Sequence, residues 1–151
     1  MDRSEKAIFT NMCMVYDDCG NVLVQDRLDE EWGGLTFPGG HVEKEESFSD
    51  AVIREVFEET GLRIESPQLC GVKQWHEEGD IRYVVLCYKT NRFQGSLVSS
   101  GEGKVSWMKL EDMTRTKMAS GMEYMVKLFV DDEINEHYIR EENGRKINIL
   151  K

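Results

Sequence analysis

Residues 40–62, GHVEKEESFSDAVIREVFEETGL, restrict the fold of this chain more than any other stretch. A polar loop led by glycine opens onto a helix-forming run that carries Arg54, Glu55, Glu58 and Glu59. Side chains three and four apart stand one above another on a helix, so the three glutamates share a face. A turn of roughly 100° per residue sets Val52, Ile53, Val56 and Phe57 on an adjoining arc that faces a core. Ser47 suits the N-cap, with Asp50 as a short-armed capping-box partner, and Gly61 suits the left-handed residue that closes a helix. Like charges on one patch repel, and an acidic face of this kind is commonly no more than a solvated surface. Here Gly39-Gly40 before the helix and Arg54 within it favour a second use. The face could hold a hard divalent cation, which takes carboxylate oxygens.

The rest of the chain limits what that cation could serve. At 151 residues the chain is long enough for one domain with a sizeable core, and 40% apolar with 32% charged residues is a soluble globular balance. It contains no apolar run of about 18 residues, and MDRSEKAIFT at the start lacks the apolar core of a signal peptide, so no membrane association is expected. A formal charge of −10 argues against binding duplex nucleic acid through a general electrostatic footprint. A small polyanionic substrate stays open, because bound cations and a few placed arginines override the global field. Cys13, Cys19, Cys70 and Cys87 show neither C-x-x-C nor zinc spacing, and two of them fall in apolar runs. They read as free thiols in a reducing cytoplasm. No G-x-x-x-x-G-K-[ST] is present, and His41, His76 and His137 form no H-E-x-x-H, so P-loop and zinc chemistry are not expected.

In chain order, residues 7–16 read as a buried strand, 17–21 as a turn and 22–25 as a returning strand, together a hairpin. An exposed loop over 28–34 holds Trp32, and 35–37 is a short extended piece before Pro38. After Gly61 the period changes, predicting long strands over 62–75 and 81–93 joined by the polar turn HEEGD. Residues 95–104 read as a Gly- and Ser-rich loop, 105–108 as a short strand and 110–113 as the start of a helical turn. Met122, Met125, Val126, Phe129 and Val130 give residues 118–130 a helical period. The tail, 136–150, is two short strands around Asn143-Gly144. That helix and the tail suit either core or a homodimer surface, and core is the commoner use. The sum is an α/β chain, a mixed sheet with a helix on each side.

From Gly40 the spacing runs five residues to Glu46, seven more to Arg54-Glu55, then Val56, Glu58-Glu59 and Gly61-Leu62. It resembles the Nudix box at every specified position. The resemblance implies a Nudix α/β/α sandwich over 1–151, with a central mixed β-sheet and a C-terminal hairpin, and a hydrolase that uses Mg²⁺, with Mn²⁺ as a substitute. It implies Glu58 and Glu59 as metal ligands, and Glu55 as either a further ligand or the base on the attacking water. Gly39 would offer its carbonyl to the metal, and Gly40 would let phosphate approach the backbone. Arg54 would orient the glutamates, and Glu46 would support the loop or tune Glu55. Family members often add a carboxylate from a distant loop, where Glu102 stands, although an ordinary loop acid would read the same. Arg27 matches an arginine set against the phosphates, or is a surface arginine. Asn11, Phe37 and Trp32 are candidates to contact a base, and Phe37 is as easily core. One position departs: many members carry Gly before the first Glu of the box, where this chain has Glu45.

Outside the box, LTFPGGHVE, GVKQW, IRYVVLCYK and SSGEGKVSWMKLEDM resemble the MutT-type 8-oxo-dGTP diphosphatases of bacteria. The proline of ADP-ribose pyrophosphatases and the tyrosine of dinucleoside polyphosphate hydrolases are missing downstream. The expected activity is therefore cleavage of (deoxy)nucleoside triphosphates to monophosphate and pyrophosphate. The alternatives are a Nudix hydrolase of a pyrimidine triphosphate or a nucleotide sugar, and a nucleotide-binding Nudix domain without catalysis.

Overall fold

A computed structural model describes residues 1–31 and 33–151, and Trp32, one of the candidates for a base contact, lies outside the described residues. In chain order the elements are β1 (Lys6–Val15), β2 (Asn21–Arg27), β3 (Gly34–Thr36), α1 (Phe48–Thr60), β4 (Leu62–Ile64), β5 (Gln68–Glu77), β6 (Ile81–Thr90), β7 (Phe93–Gly95), β8 (Gly103–Lys109), α2 (Leu110–Thr114), α3 (Met122–Val130), β9 (Glu136–Glu142) and β10 (Arg145–Leu150). The largest sheet has the order β1-β6-β5-β9-β10 and is mixed. Its β1–β6 and β5–β9 pairs are parallel, and its β5–β6 and β9–β10 pairs are antiparallel. A second sheet runs β3-β2-β8, and β4 pairs with β7.

Alternation along the strands separates two cores. Cys13 and Val15 of β1, with Val84 and Leu86 of β6, pack under Val52 and Val56 of α1. Met14, Val85 and Cys87 point the other way, towards Met122, Met125 and Phe129 of α3. The helix-on-each-side arrangement therefore follows from the period-2 pattern of the strands. The apolar face of α3 is spent inside this chain, with Met122, Met125, Leu128 and Phe129 almost wholly buried. No helix among the described residues is long and apolar enough to cross a membrane.

Five sequence expectations change. The turn after β1 forms as read, with Asp17 Oδ1 accepting the N–H groups of Cys19 and Asn21 at 2.8 and 2.9 Å. Yet β1 and β2 share only the bridge Tyr16–Val22, and they diverge into different sheets because β6 and β8 take their edges. The long strand over 62–75 breaks into β4 and β5 around Ser66, whose φ of 50° and following Pro67 turn the chain. Likewise 81–93 breaks into β6 and β7. Phe57 is not core: it is 42% exposed, with the Arg63 guanidinium 4.6 Å from its ring centroid. Finally α3 begins at Met122, because Gly121 before it is left-handed, φ 88°.

Candidate active site

The loop between β3 and α1 is tied to β1 by backbone. Asn11 N–H donates to the Gly40 carbonyl at 2.8 Å, Cys13 N–H to Pro38 at 2.9 Å, and Val42 N–H to Phe9 at 2.9 Å. The Asn11 side chain adds a bond from Gly40 N–H to its Oδ1 at 3.1 Å. No side chain fits at either glycine. A Cβ on Gly39 would meet the Asn11 carbonyl, and one on Gly40 would run into the Glu55 carboxylate. Gly39 thus lets the loop lie directly on the β1 backbone, and Gly40 leaves the Glu55 carboxylate its place beside the loop. Glu45, where a glycine is common in this loop, takes the left-handed backbone anyway, with φ 66°.

The helix starts where Ser47 Oγ accepts the Asp50 N–H at 3.0 Å and ends at Gly61, φ 80°. Its three glutamates face different surroundings. Glu59 is only 5% exposed and accepts the Gly39 N–H at 3.0 Å, while the Glu55 and Glu58 side chains are 15% and 56% exposed. Arg54 binds Glu46 through a fork, Nε to Oε2 at 2.7 Å and Nη2 to Oε1 at 3.0 Å. Its Nη1 reaches Glu55 Oε1 at 2.9 Å and Glu58 Oε2 at 3.2 Å, and Nη2 also donates to the His41 carbonyl at 3.0 Å. One guanidinium therefore fixes three glutamates and the glycine loop together.

The electrostatics divide these acids into two kinds. The Arg54 fork, with the Glu43 N–H, draws the Glu46 carboxyl down to about 2. Burial pushes Glu55 up against the pull of Arg54. Glu59 rises to about 8, first through burial and then through the Glu102 carboxyl, which lies within hydrogen-bond reach of it. A buried carboxyl with a second, exposed carboxyl beside it favours holding a proton or a cation over a bare charge. Among the described residues, no three such side chains yet close round one point, since Glu55 and Glu58 are turned onto Arg54. The donor set, carboxylates at the mouth of a glycine loop, fits a hard cation once those side chains rotate.

The sequence profile of the NUDIX domain matches residues 9–129. The chain belongs to the Nudix hydrolase family. It is 35% identical over 127 residues to the uncharacterized Nudix hydrolase YvcI of Bacillus subtilis, covering 78% of each protein. It is 34% identical over 103 residues to the nucleoside diphosphate-linked moiety X motif 6 protein of mouse, covering 64% of this chain but 32% of that one. Among solved structures, the MutT protein of Bacillus halodurans superposes with a TM-score of 0.76 at 26% identity, over 95% of this chain and 97% of that one.

Within this Nudix fold, Gly39, Gly40, Glu46, Arg54, Glu55, Glu58, Glu59 and Glu102 come together, the last from a loop 43 residues beyond Glu59 (102 − 59). Asn11 joins them, but as a brace for Gly40 that is 4% exposed, with Nδ2 left without a partner among the described residues. Arg27 is exposed at the end of β2, bordering a cavity that Lys117 and Gly34 also line. Phe37 stands apart. It is 0% exposed and edge-on to Phe129 at 5.1 Å, so it belongs to the core and not to a base-stacking surface. Sequence reading missed His41, Tyr83 and Trp75. Tyr83 Oη lies 3.3 Å from His41 Nε2 and its ring stacks on Trp75 at 4.5 Å. For Trp75 and Tyr83 the signal was their placement four residues either side of Gly79, which makes them cross-strand partners.

Proposed function

We propose that this Nudix hydrolase cleaves the phosphoanhydride of (deoxy)nucleoside triphosphates with Mg²⁺, releasing monophosphate and pyrophosphate, and that oxidised purine nucleotides of the 8-oxo-dGTP kind are its favoured substrates. The observation that carries the reading is the buried Glu59 carboxyl facing Glu102 above the Gly39 N–H. Glu58, Glu59 and the Gly39 carbonyl would hold the cation, with Glu102 and Glu55 close enough to join. When bound, Mg²⁺, or Mn²⁺ in its place, supplies positive charge against the polyphosphate and makes water more acidic.

The residues of the chain then have separate tasks. Arg54 holds Glu46 through its fork and parks Glu55 and Glu58 beside the loop, from where those two carboxylates can turn to a cation. Glu55, raised by burial, is suited to take the proton of the attacking water as its oxygen bonds to phosphorus and the bridging oxygen departs with the leaving phosphate. Gly40 leaves room for the Glu55 carboxylate, and backbone without a side chain there would let the phosphates approach, with Arg27 offering a cation from the end of β2. The four free cysteines accord with a reducing cytoplasm.

Pyrophosphate release from a panel of nucleotides, including 8-oxo-dGTP beside dGTP, tests the assignment. Activity is expected with Mg²⁺ and not with EDTA. Glu58→Gln and Glu59→Gln should each lower kcat by about a hundredfold or more while leaving the fold intact. Near-wild-type turnover in either variant would remove the assignment, and a flat panel would remove the preference for oxidised purines.

A further inference from the structure

Lys73 lies near the middle of β5, on the sheet face covered by α3, with Val85 and His137 as its ladder partners. It is half-buried, yet among the described residues its ammonium makes no hydrogen bond and no close ion pair, and the Glu123 carboxyl acts on it only through its charge. Its ring contact is with Trp75, Nζ standing 5.4 Å from the centroid. A Cβ added at Gly121 would come to 3.0 Å from Nζ, so the glycine before α3 leaves that ammonium its room. Burial draws its pKa below the usual lysine value. A lysine withdrawn from water ordinarily pairs with an acid or keeps its head in solvent. Lys73 does neither fully, and so presents three donors to whatever enters beside Trp75.

What can enter is set by the row of residues it ends. His41 follows Gly40, and its carbonyl is held by Arg54. Its ring meets the Tyr83 hydroxyl, and Tyr83 stacks on Trp75 with planes 17° apart. Lys73 is two residues further along β5, about 7 Å by strand rise. A nucleotide with its phosphates at the carboxylates and its sugar along Tyr83 and Trp75 would carry its base towards Lys73.

Resting on the nucleotide hydrolysis described above, we infer that Lys73 Nζ is a specificity-determining donor to the base, selecting bases with a carbonyl oxygen on the edge remote from the sugar over bases with an amino group there. An ammonium has no acceptor, so it bonds guanine O6 or thymine O4 and opposes adenine N6 or cytosine N4. The aromatic faces beside it tolerate either ring size, which leaves the keto-or-amino choice to Lys73.

The test compares kcat/KM for dGTP, dATP, dTTP and dCTP in the wild type, Lys73→Met and Lys73→Arg. Lys73→Met keeps the apolar stem against Trp75 and removes the charge. Wild type is expected to favour dGTP over dATP and dTTP over dCTP. Lys73→Met should lose about 10- to 100-fold on dGTP and dTTP, the worth of a charged hydrogen bond, with dATP and dCTP little changed. Lys73→Arg should keep the keto preference, and thermal melts report whether each variant is folded. An equal loss on all four nucleotides, or none, overturns the assignment of Lys73. Calorimetric binding of dGMP and dAMP separates this outcome from failure of the hydrolysis reading. If no triphosphate is cleaved, that reading falls. Tighter dGMP binding that disappears in Lys73→Met still upholds Lys73, and equal binding of the two overturns it.

Discussion

Glu59 shows how one residue is shaped by opposing demands. It follows Glu58 on the helix, yet is buried while Glu58 is open to solvent. Its charged form loses hydration and faces Glu102, so its carboxyl is raised from the ordinary value of 4.5 to about 8. Between those values the metal-free folded protein binds a proton that the unfolded chain releases. Stability is therefore greatest below about pH 4.5 in this respect and falls as pH rises towards 8. His137 acts in the opposite direction, since burial lowers its pKa and removes stability as pH falls below 6.5. Melting curves of wild type and Glu59→Gln in EDTA, at several pH values, isolate the first effect. The variant should match the wild type near pH 5 and exceed it near pH 8. Parallel curves would show that Glu59 carries no raised pKa. Saturating Mg²⁺ should narrow the gap by favouring the carboxylate.

At the scale of elements, α1 and the loop before it behave as one unit. The helix has a side-chain cap at Ser47 and a left-handed close at Gly61, and Arg54 joins its second turn to Glu46 and His41 of the loop. Ser47→Ala removes the bond to Asp50 N–H and should destabilise by about 1 kcal/mol in urea denaturation. Glu45→Gly should act the other way. Glu45 holds φ 66°, a region that disfavours side chains, and glycine would relieve about 0.5–1 kcal/mol after its larger unfolded entropy is allowed for. A fall in stability on Glu45→Gly would mean that the glutamate side chain makes a compensating contact. The family resemblance marked this position as a departure, and the backbone conformation suited to glycine is kept without the glycine.

Across the whole molecule, the mixed sheet divides two cores and puts the carboxylates on the α1 side, at the mouth of the loop that closes over β1. Two phenylalanines, Phe37 before the box and Phe57 within it, mark the difference between core and surface. Phe37→Ala empties a site that is 0% exposed and in contact with Phe129, and should destabilise by about 3–5 kcal/mol. Phe57→Ala removes a ring that is 42% exposed and should destabilise by much less, on the order of 1 kcal/mol. Comparable losses from both would contradict the division between core and surface.

Local chemistry made much of this protein readable from its residues. The helix with its caps, the HEEGD turn and the Asn143-Gly144 hairpin depend on neighbours within a few positions, where period and turn preference act, whereas the role of Arg54 among the box glutamates was implied by the family resemblance. Tertiary structure decided the rest. Which edge β1 would pair with, where the strands over 62–75 and 81–93 would break, and whether Phe37 or Phe57 would be buried depend on segments far apart in the chain. The same holds for the site. The acids on one helix face were legible from spacing. Their division into a buried Glu59 opposite Glu102, a half-buried Glu55 and an open Glu58 arose only when a loop 43 residues beyond Glu59 (102 − 59) packed beside it, because burial and opposing charge are properties of the folded surroundings.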